Sequence, residues 1–237
     1  MIELWGMSSP NVQKVLIALE ELALPYRLHY VDVLMNQQYA PGFEALTPNR
    51  KVPVIVDPEG PDGRPLTLWE SGAILLYLAE KAGALAPKNA VGRHVMMQWL
   101  MFQMSGIGPM FGQHSHFRVY AKEESHAYSR SRYGSEAKRL YEVVERRLGE
   151  SRYLAGADYT IADIAAWPWL RAPGMRGLEF SEIPNVARWV EEIAARPAVA
   201  RAMQQVAAMP RRDLDQFAKE HPEELDRYLG RGRYARA

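Results

Sequence analysis

The chain has no cysteine in its 237 residues. That absence excludes disulfides, thiolate-bound zinc and a protein thiol as nucleophile or redox centre. It also has little net charge. Twenty-nine Lys and Arg against 28 Asp and Glu leave a formal +1, which is no basic field of the kind nucleic acid requires. No run approaches the roughly 20 apolar residues of a membrane span. The opening Met1-Ile2-Glu3-Leu4-Trp5 lacks the basic-then-apolar order of a secretory signal. Internal repeats and low-complexity tracts are missing too. What remains is an ordinary globular composition, 48% hydrophobic and 24% charged, with length enough for one large or two small domains. The expectation is a cytoplasmic protein with no nucleic-acid or membrane partner.

The first third alternates between strand and helix patterns. Residues 2–5 read as a short apolar strand. Val12, Val15, Leu16, Leu19 and Leu22 then recur at helical spacing, behind Ser9 as an N-cap and Pro10 at the first helical position. A second strand is expected over 26–33 and a short helix over 39–46. Lys51-Val52-Pro53-Val54-Ile55-Val56-Asp57 and Leu66-Thr67-Leu68-Trp69 read as two strands joined by a run of turn formers. A helix over 70–81 follows, turning Ile74, Leu75, Leu78 and Ala79 inward. The order is β-α-β-α-β-β-α.

Past residue 86 no strand pattern remains. Residues 92–116 form a long apolar stretch, and 125–148 a charged amphipathic one. Tyr159-Thr160-Ile161-Ala162-Asp163 carries the spacing of a capping box, and helices fit 186–195 and 199–208. The expected domains are therefore 1–86 and 87–237, with the Arg-rich 211–237 either a polar tail or a late helix.

Two features point to a ligand. The Val52-Pro53 step at the head of a strand leaves backbone groups available to a partner outside the chain, and a helix beginning Glu70-Ser71 presents N–H groups to an anion. Together they suit an extended, peptide-like molecule with a carboxylate. With no cysteine in the chain, any thiol chemistry there must use a thiol that the ligand brings.

These motifs, with Glu70-Ser71-Gly72-Ala73-Ile74-Leu75-Leu76-Tyr77-Leu78-Ala79 and Tyr159-Thr160-Ile161-Ala162-Asp163-Ile164-Ala165, resemble the cytosolic glutathione transferases over about residues 1–208. The resemblance implies an α/β thioredoxin-like N-terminal domain with a mixed four-stranded sheet, an all-α C-terminal domain, glutathione as cosubstrate, no metal and a homodimer. Ser9-Pro10-Asn11 and Gly106-Ile107-Gly108-Pro109-Met110-Phe111-Gly112-Gln113 resemble the nu class, the disulfide-bond reductases. Two departures stand out. Trp5 occupies the strand where several classes carry a catalytic tyrosine, and Ser9 replaces a common threonine.

The resemblance implies catalytic roles for Asn11 and Ser9, which would hold the glutathione thiol as a thiolate at the start of a helix. Read from the residues alone, Ser9 is an N-cap and Asn11 a solvated first-turn residue. Val52 and Pro53, through a cis bond, would pair with the cysteinyl backbone. Glu70 and Ser71 would take the γ-glutamyl end, and Gln38 and Lys51 the glycyl end. Arg132 would reach the ligand from the helical domain, or else form a surface ion pair. His114 and His116, two apart, do not share a helix face and are expected to line an open acceptor side rather than bind metal. Trp99, Phe102, Met104 and Met110 suit a core or a dimer interface. The implied activity is reduction of small disulfides. The alternatives are a conjugating transferase that uses Ser8, with an electrophile as second substrate, and a non-enzymatic regulator on the same fold.

Overall fold

The computed structural model describes residues 1–120 and 127–230. Among them the chain divides into two compact units. One comprises Met1–Ile74 with the described residues from Arg201 onward, the other Leu75–Ala200. The expected division at residue 86 follows the change in secondary structure, whereas packing groups the end of the chain with its beginning.

In the first unit, β1 (Ile2–Gly6), β2 (Tyr26–Tyr30), β3 (Val54–Asp57) and β4 (Leu66–Trp69) form a sheet in the order β2-β1-β3-β4. β1 and β2 run parallel, while β3 is antiparallel to both β1 and β4. This is the mixed four-stranded sheet expected. The helix α1 (Pro10–Glu21) is the crossover that a parallel β1–β2 pair requires. Every residue from Val12 to Leu19 is buried, so α1 is enclosed on all sides. Its start lies so close to β1 that a Cβ on Gly6 would stand 2.6 Å from Val12 Cγ1. β2 ends at Tyr30, short of the expected 33. The expected helix over 39–46 is the single turn α2 (Pro41–Glu44), because Pro41 can only open a helix.

The segment from Arg212 to Arg227 is held to the chain that follows β2. Arg212 donates from Nε (2.9 Å) and Nη2 (2.7 Å) to the buried Asp32 carboxylate. Asn36 Nδ2 donates to the Glu224 carbonyl at 3.1 Å, and Arg227 lies 4.2 Å from the centre of the Tyr39 ring. The segment that read as either tail or helix thus contains two short helices, α10 (Leu214–Glu220) and α11 (Pro222–Tyr228). Arg231 and Arg233 lie outside the described residues.

The helix α3 (Ser71–Ala82) leads from the first unit into the second. There α4 (Ala90–Phe102), α5 (Gly108–Ser115), α6 (Ala127–Glu150), α7 (Ile161–Leu170) and α8 (Pro184–Ala194) follow, and α9 (Pro197–Ala208) begins. The apolar stretch 92–116 is helical throughout, with a wider turn at Gln103–Ile107 between α4 and α5. Pro109 explains the wider turn, since it has no N–H for the carbonyl four residues back and its ring crowds that carbonyl. The start expected for α6, Ser125, lies outside the described residues. At α7 the capping box is present, and its acid reaches further than the spacing implies. Asp163, fully buried, accepts from Thr160 N–H (3.0 Å), Thr160 Oγ1 (3.2 Å), Leu154 N–H (2.9 Å) and the Trp189 indole (3.0 Å). Burial pushes its carboxyl up to about 6 against the pull of these donors.

Candidate active site

Three loops at one end of the sheet build a cleft of about 140 Å³, lined by Asn11, Thr47, Asn49, Lys51, Val52, Pro53, Trp69, Glu70 and Ser71. The first turn of α1 supplies Asn11. Ser9, the N-cap two residues earlier, is extended (φ −90°, ψ 153°) and its side chain accepts the Val12 N–H at 3.4 Å. The chain before β3 supplies the second wall. Its Val52–Pro53 bond is cis, and Val52 carries no backbone hydrogen bond among the described residues. An extended ligand can therefore pair with that main chain as an added strand would.

The third wall is the β4–α3 junction. Glu70 has a φ of +71°, a left-handed conformation that is unfavourable by about 1–2 kcal/mol for a residue with a Cβ. It persists because β4 and α3 hold both neighbours, and it turns the Glu70 carboxylate to Asn49 Nδ2 at 3.3 Å. Ser71 opens α3 and is 3% exposed. Its Oγ accepts a hydrogen bond from Lys14 Nζ at 3.1 Å.

Lys14 is the residue that sequence reading missed. It stands one turn along α1 from Asn11 and is 1% exposed. Burial pushes its ammonium down to about 7, and the nearby Glu70 carboxylate pulls the other way. A cation that is only partly protonated near neutrality thus sits directly behind Ser71. The signal was its place in the run 12–19, all of which α1 buries; a polar residue in such a run has to meet a partner. Thr47 and Asn49, which follow the short helix expected over 39–46, were missed as well. Thr47 is buried and its Oγ1 accepts the Asn49 N–H at 3.2 Å, which sets the loop.

The cleft brings together Asn11, Lys51, Val52, Pro53, Glu70 and Ser71 from widely separated stretches. Ser9 and Gln38 are not among its lining residues. Gln38 is buried, and its Oε1 has no hydrogen-bond partner among the described residues. Arg132 is on α6 in the other unit, exposed, and pairs with Glu136 at 3.6 Å. Trp5 is occupied by packing, stacked on His29 with centroids 4.7 Å apart. His114 is buried, where an open surface had been expected. Among the described residues no group of three or more His, Cys, Asp and Glu side chains is arranged to hold a metal ion. None of their helices is long and apolar enough to cross a membrane.

A thioredoxin-like sheet with a cleft at a cis-proline, joined to a helical unit, defines a class. The family model of the glutathione S-transferase N-terminal domain matches residues 8–81, and that of the C-terminal domain matches 105–197. The chain belongs to the glutathione S-transferase family. It is 44% identical over 204 residues to the disulfide-bond oxidoreductase YfcG of Escherichia coli (strain K12), covering 86% of this chain and 94% of that protein. Two solved structures are similar. A glutathione transferase family member from Pseudomonas fluorescens, with two glutathione bound, matches with a TM-score of 0.81 and 43% identity over 88% of this chain and 93% of that one. A glutathione transferase from Pseudomonas putida, with one glutathione disulfide per subunit, matches with a TM-score of 0.81 and 42% identity over 86% and 90%.

Proposed function

We propose that this protein is a glutathione-dependent disulfide-bond oxidoreductase of the nu class. The observation that carries the reading is the convergence of Asn11, Val52, Glu70 and Ser71 on one cleft. At about 140 Å³ the cleft is smaller than the usual 300–1,000 Å³ of a whole small-molecule site. It grips one end of the tripeptide and leaves the other exposed. Ser71, backed by Lys14, receives the γ-glutamyl carboxylate at the start of α3. Glu70 takes the α-amino group. Val52 pairs with the cysteinyl main chain, and Lys51 and Gln38 answer to the glycyl end.

That placement brings the thiol to the start of α1. There the positive end of the helix, Asn11 and Ser9 favour the thiolate over a thiol that ordinarily titrates near 8.5. The thiolate attacks one sulfur of a small disulfide. A new S–S bond forms, the old one breaks, and its electron pair leaves on the departing thiolate. A second glutathione thiolate repeats the step on the mixed disulfide, giving glutathione disulfide and the second reduced thiol. Both reacting sulfurs belong to ligands, as a chain without cysteine requires.

On this reading residues 1–86 bind glutathione, and 87–237 form the helical domain, whose last described residues pack with the first. The protein is cytoplasmic and homodimeric. Support for a dimer is the groove of about 520 Å³ along α4 and α6, where Val95, Trp99, Phe102 and Val143 meet Arg147. The test is calorimetric titration with glutathione and glutathione disulfide, combined with turnover of 2-hydroxyethyl disulfide. Binding of both with turnover is expected, and Asn11→Ala should lose most of the turnover. Undiminished turnover in that variant removes Asn11 from the mechanism. Loss in Ser8→Ala instead assigns the conjugating alternative, and absence of binding assigns the regulator.

A further inference from the structure

Among the described residues, the helical unit holds a buried guanidinium with no carboxylate against it. Arg176 is 6% exposed, and its Nε has no hydrogen-bond partner among them. Its contact is the face of Phe111, 4.7 Å from the ring centre. One helical turn from Phe111 on α5 is His114, 7% exposed, whose Nδ1 is also without a partner. Just past the end of α5, Arg118 turns back and donates from Nη1 to the Met175 carbonyl at 3.1 Å, next to Arg176. Among the described residues none of these three cationic or titratable groups is paired with a carboxylate. Elsewhere the chain does the opposite. Arg212 holds Asp32, Arg201 holds Glu20 and Arg152 holds Glu192.

The two guanidinium groups repel one another and disfavour a proton on His114. Burial lowers the pKa of Arg176, Tyr141 pulls it back up, and Arg118 lowers it again. Burial, Arg176 and Arg118 together lower that of His114. Removing an unpaired cation from water is costly. A fold tolerates such a convergence where an anion completes it. The available donors are a guanidinium fork, an imidazole nitrogen able to carry a proton, and the remaining N–H groups of Arg118. That set matches the two or three oxygens of an oxyanion. Arg118 and Met175 are exposed, so the anion has a way in.

We propose that Arg176, His114 and Arg118 form a binding site in the helical unit for a small oxyanion, the carboxylate or phosphate group of a metabolite-sized ligand. None of the three residues lines the glutathione cleft.

The test is thermal unfolding of the full-length protein in separate titrations of inorganic phosphate and succinate, with ionic strength held constant by sodium chloride. A ligand that binds only the folded state raises Tm saturably; the expected rise is about 2–4 °C. It should be absent in Arg176→Met and smaller in Arg118→Met. A response to phosphate alone identifies a phosphoryl ligand, and a response to succinate alone a carboxylate. No saturable rise with either, or an equal rise in Arg176→Met, overturns the proposal. Should Arg176→Met fail to fold, the ring resonances of His114 in the unaltered protein decide, assigned by their loss in His114→Gln. Saturable movement under the same titrations supports the site, and stationary resonances overturn it.

Discussion

Two helix starts in this molecule use the same chemistry to opposite ends. At α7, Asp163 collects four donors from Thr160, Leu154 and Trp189, and the carboxylate is wholly enclosed. Nothing there is left for a ligand. At α3, the buried Ser71 accepts from a buried ammonium and lines an open cleft, while Glu70 beside it is held at φ +71°. A closed polar network stabilises the fold. A network left open toward solvent gives up stability and keeps a place for an anion. The two buried charges differ in the same way, because Asp163 has its full set of partners inside the fold and Lys14 has Ser71 and the field of Glu70.

The largest expected effect is at the closed end. Asp163→Ala leaves the Trp189 indole and two backbone N–H groups buried without acceptors, which should remove about 3–5 kcal/mol of stability. Urea unfolding measures it, and a loss under 1 kcal/mol would show that the network is not what holds α7. At the open end the sign reverses. Lys14→Met replaces a buried cation with an apolar chain of similar length, so unfolding should be unchanged or harder. Glutathione affinity, by titration calorimetry, should fall about tenfold, about 1.4 kcal/mol. A collapse of stability with affinity intact would make Lys14 a structural residue like Asp163.

Acidity sharpens the contrast. In the folded chain Lys14 titrates at about 7, against an ordinary 10.5. Between those values the unfolded state holds a proton that the folded state has released, so stability rises with pH across that window. The rise should be present in the unaltered protein and missing from Lys14→Met when both are unfolded in urea from pH 7 to 10. The smallest effect belongs to Glu70→Gly. Glycine accepts the left-handed backbone without penalty, so stability should rise by at most about 1 kcal/mol while glutathione binding weakens. Equal binding in that variant would detach the carboxylate from the ligand's amino group.

Much of this was readable in the residues. Alternating strand and helix patterns before residue 86 and helix patterns after it describe the fold, because hydrophobic period is a local property that survives without tertiary knowledge. Ser9 as the cap of α1, and Thr160 with Asp163 as the capping box of α7, were legible because their partners lie within four residues. Lys51, Val52, Glu70 and Ser71, which line one cleft, were legible as candidates because each stands beside a strand or helix terminus. The wider turn between α4 and α5 was written in Pro109, but its neighbours carried the stronger helical signal.

Other features depended on partners far away in the chain. Lys14 meets Ser71 57 residues on, Arg212 meets Asp32 across 180 residues, and Trp189 reaches Asp163 across 26. Local pattern carries no trace of such pairs. The amino-acid sequence by itself determined the elements, their order and the absence of any protein thiol, since these follow from residue type and spacing. Which charges are buried and which are answered by an opposite charge was decided only by the tertiary structure, because desolvation and pairing depend on what the folded chain brings into contact.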